Sequence, residues 1–184
     1  MSESKFSKQF LRKLVNIDIE RRSKKWLEVK NIEKFIKSQT QKILENSPLK
    51  EFLEKEIYFD LSISLCSNLQ IKKINREFRN KDNPTNVLSF GNLDEKIIQK
   101  NGLKKAIGVN KYIFLGDIIL SYEYILKEAK SHKKNFNDHL THLILHGILH
   151  LIGNDHEEEK MAKIMESLEI KILNKLNINN PYNQ

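Results

Sequence analysis

Cysteine is almost missing from this chain: 184 residues carry only Cys66, so no intramolecular disulfide can form and a small buried core residue is its expected role. No run of about 18 apolar residues occurs, so no membrane-spanning helix is expected. The opening Met1-Ser2-Glu3-Ser4-Lys5-Phe6 lacks the apolar stretch of a secretory signal, and a cytoplasmic location is the expectation. Internal repeats and low-complexity linkers are also lacking. The length suits one core, so residues 1–184 are expected to form a single domain. Acidic residues are in deficit, 24 against 32 Lys and Arg, which leaves a net charge of +8 and a pI near 9.4. Such a balance favours an acidic partner, most simply nucleic acid, although a composition rich in Lys, Asn and Ile can equally reflect the base composition of the coding genome. Hydrophobic residues make up 39% and charged residues 30%, which describes a globular chain on the polar side.

Histidine is scarce as well, six in all, yet three stand in His146-Gly147-Ile148-Leu149-His150-Leu151-Ile152-Gly153-Asn154-Asp155-His156. On a helix His146 and His150 share one face, with Cβ atoms about 5–6 Å apart. Gly153 can take the left-handed conformation that ends a helix and turns the chain, which brings His156 toward the same spot. Three neutral imidazoles with a fourth position open describe a catalytic rather than a structural transition-metal site. Zinc is the first choice, but imidazole also suits nickel, copper and iron, so ligand type does not fix the ion. Gly147 costs a helix about 1 kcal/mol relative to Ala, which points to close backbone packing at that position. The spacing H-x-x-x-H-x-x-G-x-x-H is that of the metzincin peptidases, with one omission: their general base is a Glu directly after the first His. Here that position is Gly147, which cannot move a proton, so peptide hydrolysis by that route is disfavoured.

Alternating apolar and polar residues predict strands over 14–20, 57–66 and 112–121, with a short apolar strand over 87–90 after a polar turn containing Pro84. Apolar residues at helical spacing predict helices over 31–46, 68–79, 121–134, 137–152 and 157–176. Asn31 is the expected N-cap of the first of these, and Pro48 its stop. The last is expected to turn Met161, Ile164, Met165, Leu168, Ile172 and Leu176 inward, with Glu157, Glu158 and Glu159 complementing its positive end. The basic run Arg21-Arg22-Ser23-Lys24-Lys25-Trp26 reads as a solvated loop with Trp26 tucked against the core. Residues 91–111, Lys-rich and weakly patterned, read as a surface excursion.

Three separated segments coincide with one family. Asn75-Arg76-Glu77-Phe78-Arg79-Asn80-Lys81-Asp82 through Pro84-Thr85-Asn86-Val87-Leu88-Ser89-Phe90, then Leu115-Gly116-Asp117-Ile118, then His146-Gly147 to Asp155-His156, resemble the YbeY family of bacterial endoribonucleases involved in ribosomal RNA maturation. Two positions depart from its usual pattern: Asn154 stands where Tyr is common and Gly91 where Pro often follows the Ser-Phe pair. The resemblance implies an α+β fold, a small mixed four-stranded sheet covered by helices, with a metal site at a helix C-terminus and the following turn, at the mouth of a cleft. It implies His146, His150 and His156 as ligands of one divalent transition-metal ion, Zn2+ first, and Arg79 as the key basic residue of the cleft. The guanidinium suits that role independently, since its planar fork of donors matches phosphate oxygens. The implied activity is single-strand-specific, metal-dependent endoribonuclease action in 16S rRNA 3'-end maturation and ribosome quality control. The implied partners are single-stranded RNA, rRNA, the small ribosomal subunit and assembly factors. The competing expectation is a non-catalytic RNA-binding ribosome-assembly factor with a structural metal. Asp155 is open to a second-shell or helix-capping role, Asp117 to lining the cleft or serving a turn, and His142 to flanking the site. His132 and His139 read as ordinary surface residues.

Overall fold

The computed structural model describes residues 8–154 and 159–183. Helix α1 (Lys8–Lys13) leads into β1 (Val15–Arg21), a short 3-10 helix (Lys24–Glu28), α2 (Ile32–Asn46) and α3 (Lys50–Leu53). Next come β2 (Tyr58–Cys66), α4 (Asn68–Arg79), β3 (Val87–Gly91), α5 (Glu95–Asn101), α6 (Leu103–Ile107) and β4 (Tyr112–Ser121). The last helices are α7 (Tyr122–Ser131), α8 (Phe136–Leu151) and α9 (Glu159–Lys175). The architecture is α+β: one mixed sheet in the order β1-β2-β4-β3, with nine α-helices among the described residues. β1, β2 and β4 run parallel, and β3 returns antiparallel along β4.

The alternation of β4 decides which helices cover which face. Ile118 and Leu120 point into the main apolar cluster with α8, whereas Ile119 joins Cys66, Ile71 and Leu88 in a smaller cluster beneath α4. α8 is apolar nearly all round, as a helix enclosed by protein must be. Leu140, Leu143, Ile144, Leu145, Ile148 and Leu149 are all buried there, between the sheet and helices α2, α7 and α9. Its imidazoles therefore sit on a rigid central element.

Several local expectations are met. Trp26 is fully buried, its Nε1–H donating to the Cys66 carbonyl at 2.9 Å, while Arg21 and Arg22 pair at the surface with Glu33 and Glu20. Others need correction. Residues 91–111 lie at the surface as expected, but they also form α5 and α6, and Ile107 among them is fully buried. Asn31 does occupy the N-cap position of α2, but in a left-handed conformation and without a side-chain cap bond. Along α9 Ile164 is half exposed, and the buried stripe is Met165, Glu169, Ile172 and Leu173. Glu157 and Glu158 of the expected first turn lie outside the described residues. His139 is buried rather than exposed, because its Nε2 meets the Glu128 carboxylate at 2.9 Å.

Candidate functional site

Helix α8 ends where two backbone hydrogen bonds close a left-handed cap. Gly153 N–H donates to the His150 carbonyl at 2.9 Å and Asn154 N–H to the Leu149 carbonyl at 3.0 Å, with Gly153 at φ +84°. This is the Schellman arrangement, and its positive φ is the conformation that glycine adopts without a steric penalty. One turn back, His146 and His150 converge as their spacing predicts, with Nε2 atoms 3.1 Å apart. His156, the third expected ligand, and Asp155 lie outside the described residues. Among the described residues no three potential ligands gather, and the described part of the site contributes the two imidazoles of His146 and His150.

The donor chemistry of that pair fits a metal ion. Two nitrogens on one tetrahedral zinc at about 2.0–2.1 Å stand about 3.3 Å apart, close to the spacing found here. His146 Nδ1 meets Glu169 Oε1 at 2.9 Å, the carboxylate–imidazole pairing that metal-bound histidines usually carry. Glu169 lies on α9 with its side chain 1% exposed, and it also takes hydrogen bonds from His142 Nε2 at 3.3 Å and from the Tyr182 hydroxyl. Burial alone would raise its carboxyl pKa, but the bonds from His142 and His146 outweigh it and bring the value down to about 2. Burial and the facing Glu169 push the Tyr182 phenol up. Sequence reasoning missed Glu169. The readable signal was a charged residue at an inward position, four after Met165 and three before Ile172.

Opposite the imidazoles runs strand β3. Gly147 permits its approach: a Cβ there would stand 3.0 Å from both the Ser89 hydroxyl and Ile118 Cδ1. Between β3, the end of α8 and the end of α4 lies a cleft of about 680 Å³, with Arg79, Asn86, Ser89, His146, His150 and Asn154 among its lining residues. Arg79 closes α4, where Asn80 turns left-handed and donates its N–H back to the Asn75 carbonyl. The buried Asn75 side chain donates to the Asn83 carbonyl at 2.8 Å, so the loop after Arg79 is tied to its own helix. The loop's far end is tied by Asn86, whose amide donates to the Glu128 carboxylate at 3.0 Å, the same carboxylate that meets His139. Burial opposes ionisation of Glu128, but those two bonds prevail and lower its pKa. Lys72 and Arg76 are engaged by Asp82 at 3.3 and 3.8 Å, whereas exposed Arg79 makes no ion pair among the described residues. Asp117 does not line the cleft; it sits within β4, paired in register with Ser62 and Phe90. His142 does flank the site through Glu169, and His132 is exposed.

A mixed sheet packed on a central helix, with two convergent imidazoles and an arginine lining one cleft, defines the class: an α+β protein with a polar cleft at the end of α8. The family model of endoribonuclease YbeY matches residues 18–177. The chain belongs to that family. The endoribonuclease YbeY of Francisella philomiragia subsp. philomiragia is 43% identical over 123 residues, which span 67% of this chain and 73% of that protein. The endoribonuclease YbeY of Francisella tularensis subsp. novicida is 42% identical over the same length, 67% of this chain and 71% of that protein. The solution structure of TM1509 from Thermotoga maritima is 20% identical, covering 92% of this chain and all of that one, with a TM-score of 0.46.

Proposed function

We propose that this protein is a metal-dependent endoribonuclease that cuts single-stranded RNA, and that it works in the cytoplasm on 16S rRNA 3'-end maturation and ribosome quality control. The observation that carries the reading is that Arg79 lines the same cleft as the convergent His146 and His150. Family membership supports RNA phosphodiesters as the substrate, and the net charge of +8 supports a polyanion. The small ribosomal subunit and its assembly factors are the partners this role implies.

His146 and His150 would hold a divalent ion, zinc being the first choice, with His156 the third ligand by its place in the motif. When bound, such an ion polarises a phosphate oxygen and lowers the pKa of a water molecule. Arg79 lays its fork of donors on the phosphoryl oxygens and offsets the charge that grows on them in the transition state. Ser89, on the cleft wall, offers its hydroxyl to the sugar-phosphate strand, while Asn86 is held against Glu128 and keeps the loop in place. A recessed site favours a single strand, which can bend its backbone inward, over a stiff duplex.

The test compares single-stranded RNA, duplex RNA and casein, each with and without chelator, for the wild type and Arg79→Ala. Cleavage of single-stranded RNA alone, abolished by chelator and slowed by about 10²–10³ in Arg79→Ala, is the expected result. RNA that is bound but never cut, equally by both proteins, would instead favour an assembly factor with a structural metal. A single 2'-deoxy substitution at the cut position separates the nucleophiles, since continued cleavage rules out the internal hydroxyl.

A further inference from the structure

Glu169 is a carboxylate in a place where carboxylates are costly. It occupies the buried stripe of α9 among Met165, Ile172 and Leu173, at 0% exposure. A buried charge persists only when its lone pairs are used. Here both oxygens are. Oε1 meets His146 Nδ1 at 2.9 Å, and Oε2 meets His142 Nε2 at 3.3 Å and the Tyr182 hydroxyl. A carboxylate accepts at both ends, whereas an amide would present a donor at one of them. Tyr182 belongs to the segment after α9, which is held in place by Lys134 Nζ donating to the Pro181 carbonyl at 2.7 Å. Three donors from α8 and the C-terminal segment thus converge on one side chain, and one of the three is the ring that faces His150.

The consequence for that ring is definite. An imidazole whose Nδ1–H is given to a carboxylate carries its lone pair on Nε2, and Nε2 of His146 is the nitrogen 3.1 Å from His150 Nε2. We propose that Glu169 is the positioning residue of the metal centre. It fixes the tautomer and ring orientation of His146, and it is itself held by Tyr182 and His142. The inference rests on the metal site proposed above, and extends it to a helix that contributes no ligand of its own.

The test uses the full-length protein. In the metal-free wild type at neutral pH, nitrogen-15 NMR of labelled imidazoles should show His146 protonated at Nδ1 and bare at Nε2; the opposite tautomer overturns the proposal. Zinc affinity is then measured by chelator competition for the wild type, Glu169→Gln and His146→Ala. The expected loss for Glu169→Gln is about 10–100-fold, with native circular dichroism. If Glu169→Gln binds zinc within about two-fold of the wild type while His146→Ala loses it, the positioning role fails and the metal site stands. If His146→Ala binds zinc as the wild type does, both fail. Should Glu169→Gln not fold, Glu169→Asp, which keeps the carboxylate but shortens its reach to His146, carries the same comparison, and zinc affinity within about two-fold of the wild type overturns the proposal.

Discussion

Replacing Gly153 by alanine tests how the turn after α8 is built. The residue has φ +84°, where an L side chain costs about 1–2 kcal/mol. The added Cβ would stand 2.5 Å from Ile98 Cγ2, with Ile98 Cβ and Cδ1 at 3.1 and 3.2 Å. No carbon pair tolerates 2.5 Å, so Ile98 must change rotamer or α5 must move off the turn. Such overpacking costs about 1–3 kcal/mol. Together the two effects predict a loss of about 2–5 kcal/mol for Gly153→Ala. Urea unfolding in the presence of chelator measures it without a contribution from bound metal. A cycle with Ile98→Ala separates the causes: the double variant should recover about 1–3 kcal/mol relative to the sum of the singles, leaving the conformational part. A loss below about 0.5 kcal/mol would refute the turn geometry, and a coupling of zero would refute the docking of α5 against it.

Three further outcomes follow from the same contacts. Gly147→Ala gains about 1 kcal/mol of helix propensity but pushes a methyl to 3.0 Å from Ile118 Cδ1 and Ser89 Oγ, so a net loss of about 0–2 kcal/mol is expected in urea unfolding and a gain would contradict the close approach of β3. Burial pushes the Cys66 thiol up to about 11. The fold therefore favours the protonated form, a contribution complete below the unfolded thiol's pKa of about 8.5 and lost as pH rises toward the folded value. A thiol reagent at pH 8 should label Cys66 only as fast as the chain opens, and immediate labelling would contradict its burial. Arg79→Lys keeps the charge but loses the planar fork, so kcat should fall by at least about 10-fold, less than in Arg79→Ala, with metal affinity unchanged; wild-type kcat would refute bidentate recognition.

Much of this architecture is legible in the pattern of residues. The alternation over 57–66 and 112–121 corresponds to β2 (Tyr58–Cys66) and β4 (Tyr112–Ser121), because both strands are long enough to repeat their period several times. α5 and α6 span seven and five residues, too few turns for a helical period to declare itself, so the packing of α5 against the Gly153 turn emerges only in three dimensions. The His146/His150 pair is local, four residues apart on one helix, and its convergence could be read directly. Arg79 reaches the same cleft from more than sixty positions earlier in the chain, and its place there was implied by family resemblance rather than by spacing. Glu169 shows the limit most clearly. Its partner is 23 residues away on another helix, and in the sequence it is one of 24 acidic residues until the apolar stripe on both sides marks it as buried. The burial of His139 escapes the sequence for a related reason: its hydrogen-bond partner Glu128 lies on α7, and nothing local to α8 indicates it.

The proposed activity depends on an ion held at the end of α8. Elemental analysis of the purified protein beside His150→Ala tests this directly. One transition-metal ion per wild-type chain, lost in the variant while its circular dichroism stays native, is the predicted result; a wild-type chain reconstituted with zinc that retains none, or a variant that retains as much as the wild type, would contradict it.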